Sequence, residues 1–106
     1  MIVLSNPVAG REDEYNDWYT NRHLADVLKV PGFKSARRFK LAQDDPAAKW
    51  KYLAIYDFES DEPAKTLAAL NAAASSPEMV LSEAMDMSNF SMSPWVAICD
   101  KQTAKK

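Results

Sequence analysis

The chain has 106 residues, of which 47% are hydrophobic, and a formal net charge of −2. This length fits one domain, which can bury roughly two-thirds of the surface that the unfolded chain exposes. The slightly acidic balance is unlike that of a nucleic-acid-binding domain. The scattered lysines and arginines also argue against an anionic membrane surface as partner.

Features of the sequence that relate to its compartment favour the cytoplasm. Cys99 is the single cysteine, so no internal disulfide can form, and this fits a reducing environment. The longest apolar runs have about five residues, far short of a membrane span. Met1 leads directly into a short strand pattern, without the basic and apolar segments of a signal peptide. We therefore expect a cytoplasmic protein, with Cys99 buried and inert.

The first half of the chain predicts a strand, a helix and two further strands. Ile2–Ser5 is β-branched and ends at a turn signal, Asn6-Pro7. Acidic residues then favour a helix over 11–23. Residues 33–41 alternate as a half-buried strand, with Phe33, Ser35, Arg37, Phe39 and Leu41 expected on one face. Tyr52–Phe58 predicts a strand with two largely apolar faces.

The second half predicts helices followed by a final strand. Ser60-Asp61-Glu62-Pro63 combines capping side chains with an early proline, which favours a helix to about residue 74. Ser75-Ser76-Pro77 predicts a second short helix that carries Met79 and Val80. Residues 91–99 alternate as the last strand, which includes Trp95. We expect one domain over residues 1–100 and a flexible tail over 101–106.

This order of elements, β-α-β-β-α-β, predicts an α+β fold of the ferredoxin-like type. Its four-stranded antiparallel sheet would carry both helices on one face. The opposite face would expose several apolar strand residues, and an exposed apolar patch usually marks a partner. We expect that partner to be a second copy of the chain, in a homodimer formed through the sheet face.

The chain resembles the EthD-like family of the dimeric α/β-barrel superfamily, most closely over residues 6–40, and beyond them in the order of its elements alone. The resemblance is carried by Asn6-Pro7, Gly10, the run Trp18-Tyr19-Thr20-Asn21-Arg22-His23, and Lys29-Val30-Pro31-Gly32-Phe33. It implies a homodimer whose two sheets face each other as a barrel, with a pocket between the sheet and the first helix of each subunit. The chain departs from the family pattern at Ala25, where a proline is common, and at Asp26, which is commonly apolar.

His23 is the single histidine of the chain and the best candidate for a catalytic residue. Its ordinary pKa near neutrality suits a general acid or base, and the family resemblance strengthens this reading over that of a packed helix-end residue. Asp26, three residues later, could orient the imidazole, although a solvated surface acid is the simpler reading. Candidate ligand-binding residues are aromatic or basic: Tyr15, Trp18, Tyr19, Arg37, Tyr52, Tyr56 and Trp95.

The sequence offers no set of metal ligands and no glycine-rich phosphate loop. Any enzyme here would therefore be cofactor-independent or use a cofactor that leaves no motif. The resemblance to the EthD-like family implies a cofactor-independent enzyme of the isomerase, cyclase, dehydratase or monooxygenase type. It would act on an aromatic or polyketide-like hydrophobic molecule, with His23 in proton transfer. The alternatives are a non-catalytic module that binds a small ligand or acts in a stress response, and a purely structural dimeric domain.

Overall fold

The computed structural model describes residues 1–105 and contains one four-stranded antiparallel sheet. The strands are β1 (Ile2–Ser5), β2 (Phe33–Lys40), β3 (Tyr52–Phe58) and β4 (Ser91–Ser93). They lie in the order β2-β3-β1-β4, and each neighbouring pair is antiparallel. With helices after β1 and β3, this arrangement confirms the predicted ferredoxin-like α+β fold.

The helix after β1 changes its winding halfway along. It begins as α1 (Glu12–Trp18), continues through a π-helical turn (Tyr19–His23) and ends as α2 (Leu24–Leu28). Within the π turn, the Leu24 N–H donates to the Tyr19 carbonyl five residues earlier. The acids of the first turn favour this helix start, as predicted. The further short turn that Leu24, Val27 and Leu28 predict after residue 23 is α2, which continues the same helix until shortly before Pro31-Gly32.

The second long helix, α3 (Pro63–Ala74), matches the prediction, with its proline in the first turn. The expected side-chain capping is wrong, because Glu62 occupies the cap position without a capping hydrogen bond. The predicted short helix after Ser75-Ser76-Pro77 is also wrong. Residues 75–90 instead form turns, held to the end of β1 by a bridge between Pro7 and Met85.

The last strand is much shorter than predicted. β4 contains three residues, and the ladder ends where Pro94 lacks the N–H that would continue it. Trp95, Val96 and Ile98 are 67%, 69% and 94% exposed, and Cys99 is also exposed. The predictions of a strand to residue 99 and of a buried Cys99 are therefore wrong.

A β-bulge between Phe33 and Ser35 determines which side chains of β2 face the helices. Phe33 is buried and meets the Tyr56 ring on the helix side. Beyond the bulge, Arg38 lies against tyrosine rings on that same side. Arg37 instead lies over the Phe39 ring, which is 41% exposed. The expectation that Phe33 and Arg37 share a face is wrong, because the extra residue shifts the alternation.

The two faces of the sheet differ in burial. The core forms on the helix side, where Val3, Tyr52, Ala54 and Tyr56 are at least 93% buried. On the other face, Ile2, Leu4, Leu53 and Ile55 are only partly covered. The sheet thus leaves an apolar face that the described residues do not bury.

Candidate functional site

A cavity of about 370 Å³ lies between the helix side of the sheet, the π turn, α3 and the loop over residues 75–90. We call it the methionine-lined cavity, because all five methionines of the chain contribute to its wall. Its lining residues are Met1, Val3, Tyr19, His23, Val27, Tyr56, Leu70, Asn71, Ala74, Ser75, Met79, Leu81, Met85, Met87, Phe90 and Met92. Its volume is typical of small-molecule sites, so the domain has room for a small molecule.

The π turn brings Tyr19 and His23 into the same wall of this cavity. Such turns are rare and occur frequently at functional sites. The His23 ring stacks on Trp18 at 4.5 Å between centroids and meets the Tyr19 ring edge-to-face at 5.0 Å. These two aromatic contacts fix the plane of the imidazole in the wall.

The two nitrogens of His23 differ in their surroundings. Nδ1 is buried and forms no hydrogen bond with residues 1–105. Nε2 also forms none and is not among the fully buried atoms. Because His23 lines the cavity, we infer that a ligand reaches the imidazole through Nε2. Burial lowers the pKa of His23 to about 4; Asp26 acts in the opposite direction, and the Arg38 charge adds to the lowering. His23 is therefore a neutral imidazole at pH 7.

Two tyrosine hydroxyls provide further polar atoms among the lining residues. Tyr56 donates to the Tyr19 hydroxyl oxygen at 3.3 Å. The Tyr19 hydroxyl proton has no acceptor within residues 1–105 and remains free to donate. Burial raises the pKa of Tyr19 to about 12 and also raises the pKa of Tyr56. Both phenols are thus neutral donors at pH 7.

Arg38 supports this wall from behind, although the sequence pattern pointed to Arg37 instead. Its guanidinium carbon lies 4.5 Å from the ring centroid of Tyr19, 5.2 Å from that of Tyr15 and 5.4 Å from that of Tyr52. The same group donates to the Asn16 side-chain oxygen and the Thr20 hydroxyl, both at 2.9 Å. A cation held over aromatic faces is attracted by the ring quadrupoles. In the sequence, Arg38 is indicated only by its position in the alternating pattern of β2. The β-bulge exchanges the two faces after Phe33, so Arg38 and not Arg37 lies on the helix side.

The predicted ligand-binding residues fall into three groups. Tyr19 and Tyr56 line the cavity with His23. Tyr15, Trp18 and Tyr52 lie next to these residues without lining it: the Tyr15 hydroxyl bonds Ser5 at 2.6 Å, Trp18 donates to the Val80 carbonyl at 2.9 Å, and the Tyr52 hydroxyl donates to Glu12. Arg37 and Trp95 lie away from the cavity, on the open sheet face and in the exposed segment after β4.

Asp26 does not contact His23 through a hydrogen bond. Its carboxylate is 5% exposed and accepts from Arg22 Nε at 2.9 Å, with Lys29 Nζ at 3.6 Å. The hydrogen bond from Arg22 holds the pKa of Asp26 below its usual range. The expectation of a solvated surface acid is wrong, because α2 turns this residue inward between two cations.

Within residues 1–105, no group of three or more histidine, cysteine or acidic side chains is placed to hold a metal ion. No helix of the described chain is long and apolar enough to cross a membrane.

The chain matches one protein-family model and is similar over part of its length to a known protein. The family model described as a domain of unknown function (DUF4286) matches residues 8–91. Over 45 residues the chain is 44% identical to Core atranone cluster (CAC) protein 1 of Stachybotrys chlorohalonatus (strain IBT 40285). That match covers 42% of this chain and 18% of the relative, so most of the relative has no counterpart here.

A solved structure is also similar, namely an ethyl tert-butyl ether d (EthD) family protein of Bacillus halodurans C-125. It is 15% identical, with a TM-score of 0.44, and the match covers 73% of this chain and 72% of that chain.

Proposed function

The chain belongs to the DUF4286 family, and from the cavity beside His23 we propose that it is a cofactor-independent small-molecule enzyme. Its substrate would be a hydrophobic, aromatic or polyketide-like compound, and His23 would transfer a proton. The observation that supports this proposal most is that the one histidine of the chain lines a largely apolar cavity of ligand size.

The chemistry follows from the neutral state of the polar groups. In the tautomer with its proton on Nδ1, His23 presents the Nε2 lone pair to the ligand. A C–H or O–H proton moves to Nε2, and the electron pair of the broken bond stays on the substrate as an enolate or phenolate. The Tyr19 hydroxyl, supported by Tyr56 and Arg38, can donate to that oxygen. Return of the proton at another atom completes an isomerisation, and the same first step can begin a cyclisation, dehydration or oxygenation.

Proton exchange gives a test that needs no knowledge of the natural substrate. 2-Tetralone is an uncharged aromatic ketone with exchangeable α-protons, and NMR in D₂O follows their loss. We expect the wild-type chain to accelerate this exchange and His23→Phe to reduce the acceleration by about 100-fold or more. Arg37→Met, on the opposite sheet face, serves as the matched control and should keep the wild-type rate. Equal rates for wild type and His23→Phe would contradict the role of His23.

A non-catalytic ligand-binding module is the second candidate, and one observation favours it. The Nδ1 atom of His23 has no orienting partner, and Asp26 is already engaged by Arg22 and Lys29. Catalytic histidines usually have their second nitrogen held by a carboxylate or carbonyl. Native mass spectrometry of the chain with cell extract distinguishes the two functions, since a bound compound recovered unchanged supports the binding module.

We also propose that the chain forms a homodimer through its open sheet face. The support is the partly exposed apolar set of Ile2, Leu4, Leu53 and Ile55, next to Phe39 at 41% exposure. Light scattering at micromolar concentration should give twice the mass of the chain. Ile55→Lys places a charge at the centre of this face and should yield a monomer, and a wild-type monomer would contradict the proposal.

A further inference from the structure

The wall of the cavity is unusually rich in one side chain. Met1, Met79, Met85, Met87 and Met92 all line it, although they are separated in the sequence. Methionine is unbranched and polarizable, with three rotatable side-chain bonds, so it adjusts to irregular apolar surfaces. Three of these residues come from the loop over 75–90, which has no regular secondary structure. The wall can therefore fit apolar ligands of different outline.

The wall also offers no charged side chain to a ligand. Among the described residues, no aspartate, glutamate, lysine or arginine side chain lines the cavity. The amino group of Met1 donates to the Tyr56 carbonyl oxygen at 2.8 Å, which ties it to β3. The Arg38 guanidinium lies behind the ring of Tyr19 and does not line the cavity. An ionised ligand would lose its hydration in such a site without gaining a charged side chain as its partner.

The polar side chains of the lining are all uncharged and belong to His23, Tyr19, Tyr56, Asn71 and Ser75. Among them, Nε2 of His23 forms no hydrogen bond within residues 1–105. This nitrogen is an acceptor in one neutral tautomer and a donor in the other. A hydroxyl group can donate and accept, so it matches either tautomer.

We propose that the methionine-lined cavity selects uncharged apolar compounds bearing a hydroxyl group, such as phenols, enols or alcohols, and excludes their carboxylate counterparts. This inference rests on the proposed small-molecule function and narrows its substrate class. It assigns recognition to two features: Nε2 of His23 binds the hydroxyl group, and the five thioether side chains cover the apolar body.

The five methionines give a direct readout of binding. In a chain labelled with [methyl-¹³C]methionine, each contributes one methyl resonance. The probes are 1-naphthol, naphthalene and 1-naphthoate, which share a ring system and differ in the polar group. We expect 1-naphthol to shift the methyl resonances saturably and 1-naphthoate to bind at least about 100-fold more weakly. His23→Phe should weaken 1-naphthol by about tenfold and leave naphthalene unchanged.

A cation introduced into the cavity wall should weaken the selection against carboxylates. Met87 lines the cavity and is 53% exposed, so Met87→Lys introduces a cation at a site where the fold tolerates it. This variant should bind 1-naphthoate at least about tenfold more tightly than wild type does. Val80→Lys is the control, because Val80 is 47% exposed and lies outside the lining.

The outcomes separate the inference from the function on which it rests. Wild-type binding of 1-naphthoate as tight as that of 1-naphthol would overturn the inference and leave a small-molecule site. An equal effect of His23→Phe on 1-naphthol and naphthalene would overturn the hydroxyl contact. No shift of any methyl resonance by any of the three probes would overturn the small-molecule function, and the inference with it.

Discussion

The buried imidazole of His23 should make the stability of the chain depend on pH in a way that one substitution removes. In the unfolded chain a histidine takes up its proton near pH 6.5. In the folded chain burial lowers the pKa of His23 to about 4. Between these two values the unfolded state binds the proton and the folded state does not. The free energy of unfolding therefore decreases as the pH falls from 6.5 towards 4.

The size of this effect follows from the two pKa values. Each unit of pKa difference corresponds to about 1.4 kcal/mol. Between pH 7 and pH 4.5, linkage then predicts a loss of about 2 kcal/mol from His23 alone. A small domain has a total stability of about 5–15 kcal/mol, so the loss is large enough to measure.

Urea unfolding at pH 7, 6, 5 and 4.5 tests this reasoning with wild type and His23→Phe. Phenylalanine retains an aromatic ring beside Trp18 and cannot take up a proton. Carboxylates with lowered pKa values, such as Asp26, are present in both proteins. Their contribution to the pH dependence of the unfolding free energy therefore cancels in the difference between the two proteins. The variant should lose about 2 kcal/mol less than wild type over this range. Parallel pH profiles for the two proteins would refute the assignment of His23 as a buried neutral base.

Three further substitutions test local interactions around the π turn and β2 by thermal or urea unfolding. Arg38→Met removes hydrogen bonds and cation–π contacts and should cost about 1–3 kcal/mol. Arg37→Met, on the open face, removes one cation–π contact and should cost less than Arg38→Met; equal effects would contradict the placement of Arg38 on the helix side. Asp26→Asn removes the buried charge that Arg22 binds and should cost about 1–3 kcal/mol at pH 7 and less at pH 3; a loss unaffected by pH would argue against the ion pair. Gly32→Ala should cost at least about 1 kcal/mol, because φ is +98° and an added Cβ would lie 3.1 Å from a carbonyl oxygen; wild-type stability would contradict that strain.

Much of the fold was predictable because its local patterns agree with its topology. Ile2–Ser5 and Tyr52–Phe58 have clear strand composition and ends, and the structure reproduces both ranges. Pro63–Ala74 has its proline in the first turn, where the ring fits the helix geometry. The placement of His23 and Tyr19 in one wall also followed from their helical spacing.

The predictions for β2 and β4 were wrong because contacts with other strands, and not the local sequence pattern, determine their structure. The bulge after Phe33 adds one residue that has no distinct sequence signal, and this residue exchanges the faces of Arg37 and Arg38. The strand pattern over 91–99 continues past Pro94, but only three residues find a partner in β1. Alternation indicates that a segment can form a strand, whereas hydrogen-bonded neighbours decide whether it does.

The methionine-lined cavity could not be predicted from spacing, because its methionines follow no helical or strand period. They come together through contacts of the loop over 75–90 with the end of β1. The Val8 N–H donates to the Ala84 carbonyl at 2.6 Å, and the Asp86 N–H donates to the Asn6 carbonyl at 2.9 Å. These bonds flank Met85 and hold that part of the wall, while Met87 beyond them is half exposed. The sheet and π turn thus give the cavity a fixed side with His23, and the loop gives it the adjustable side that meets the apolar part of a ligand.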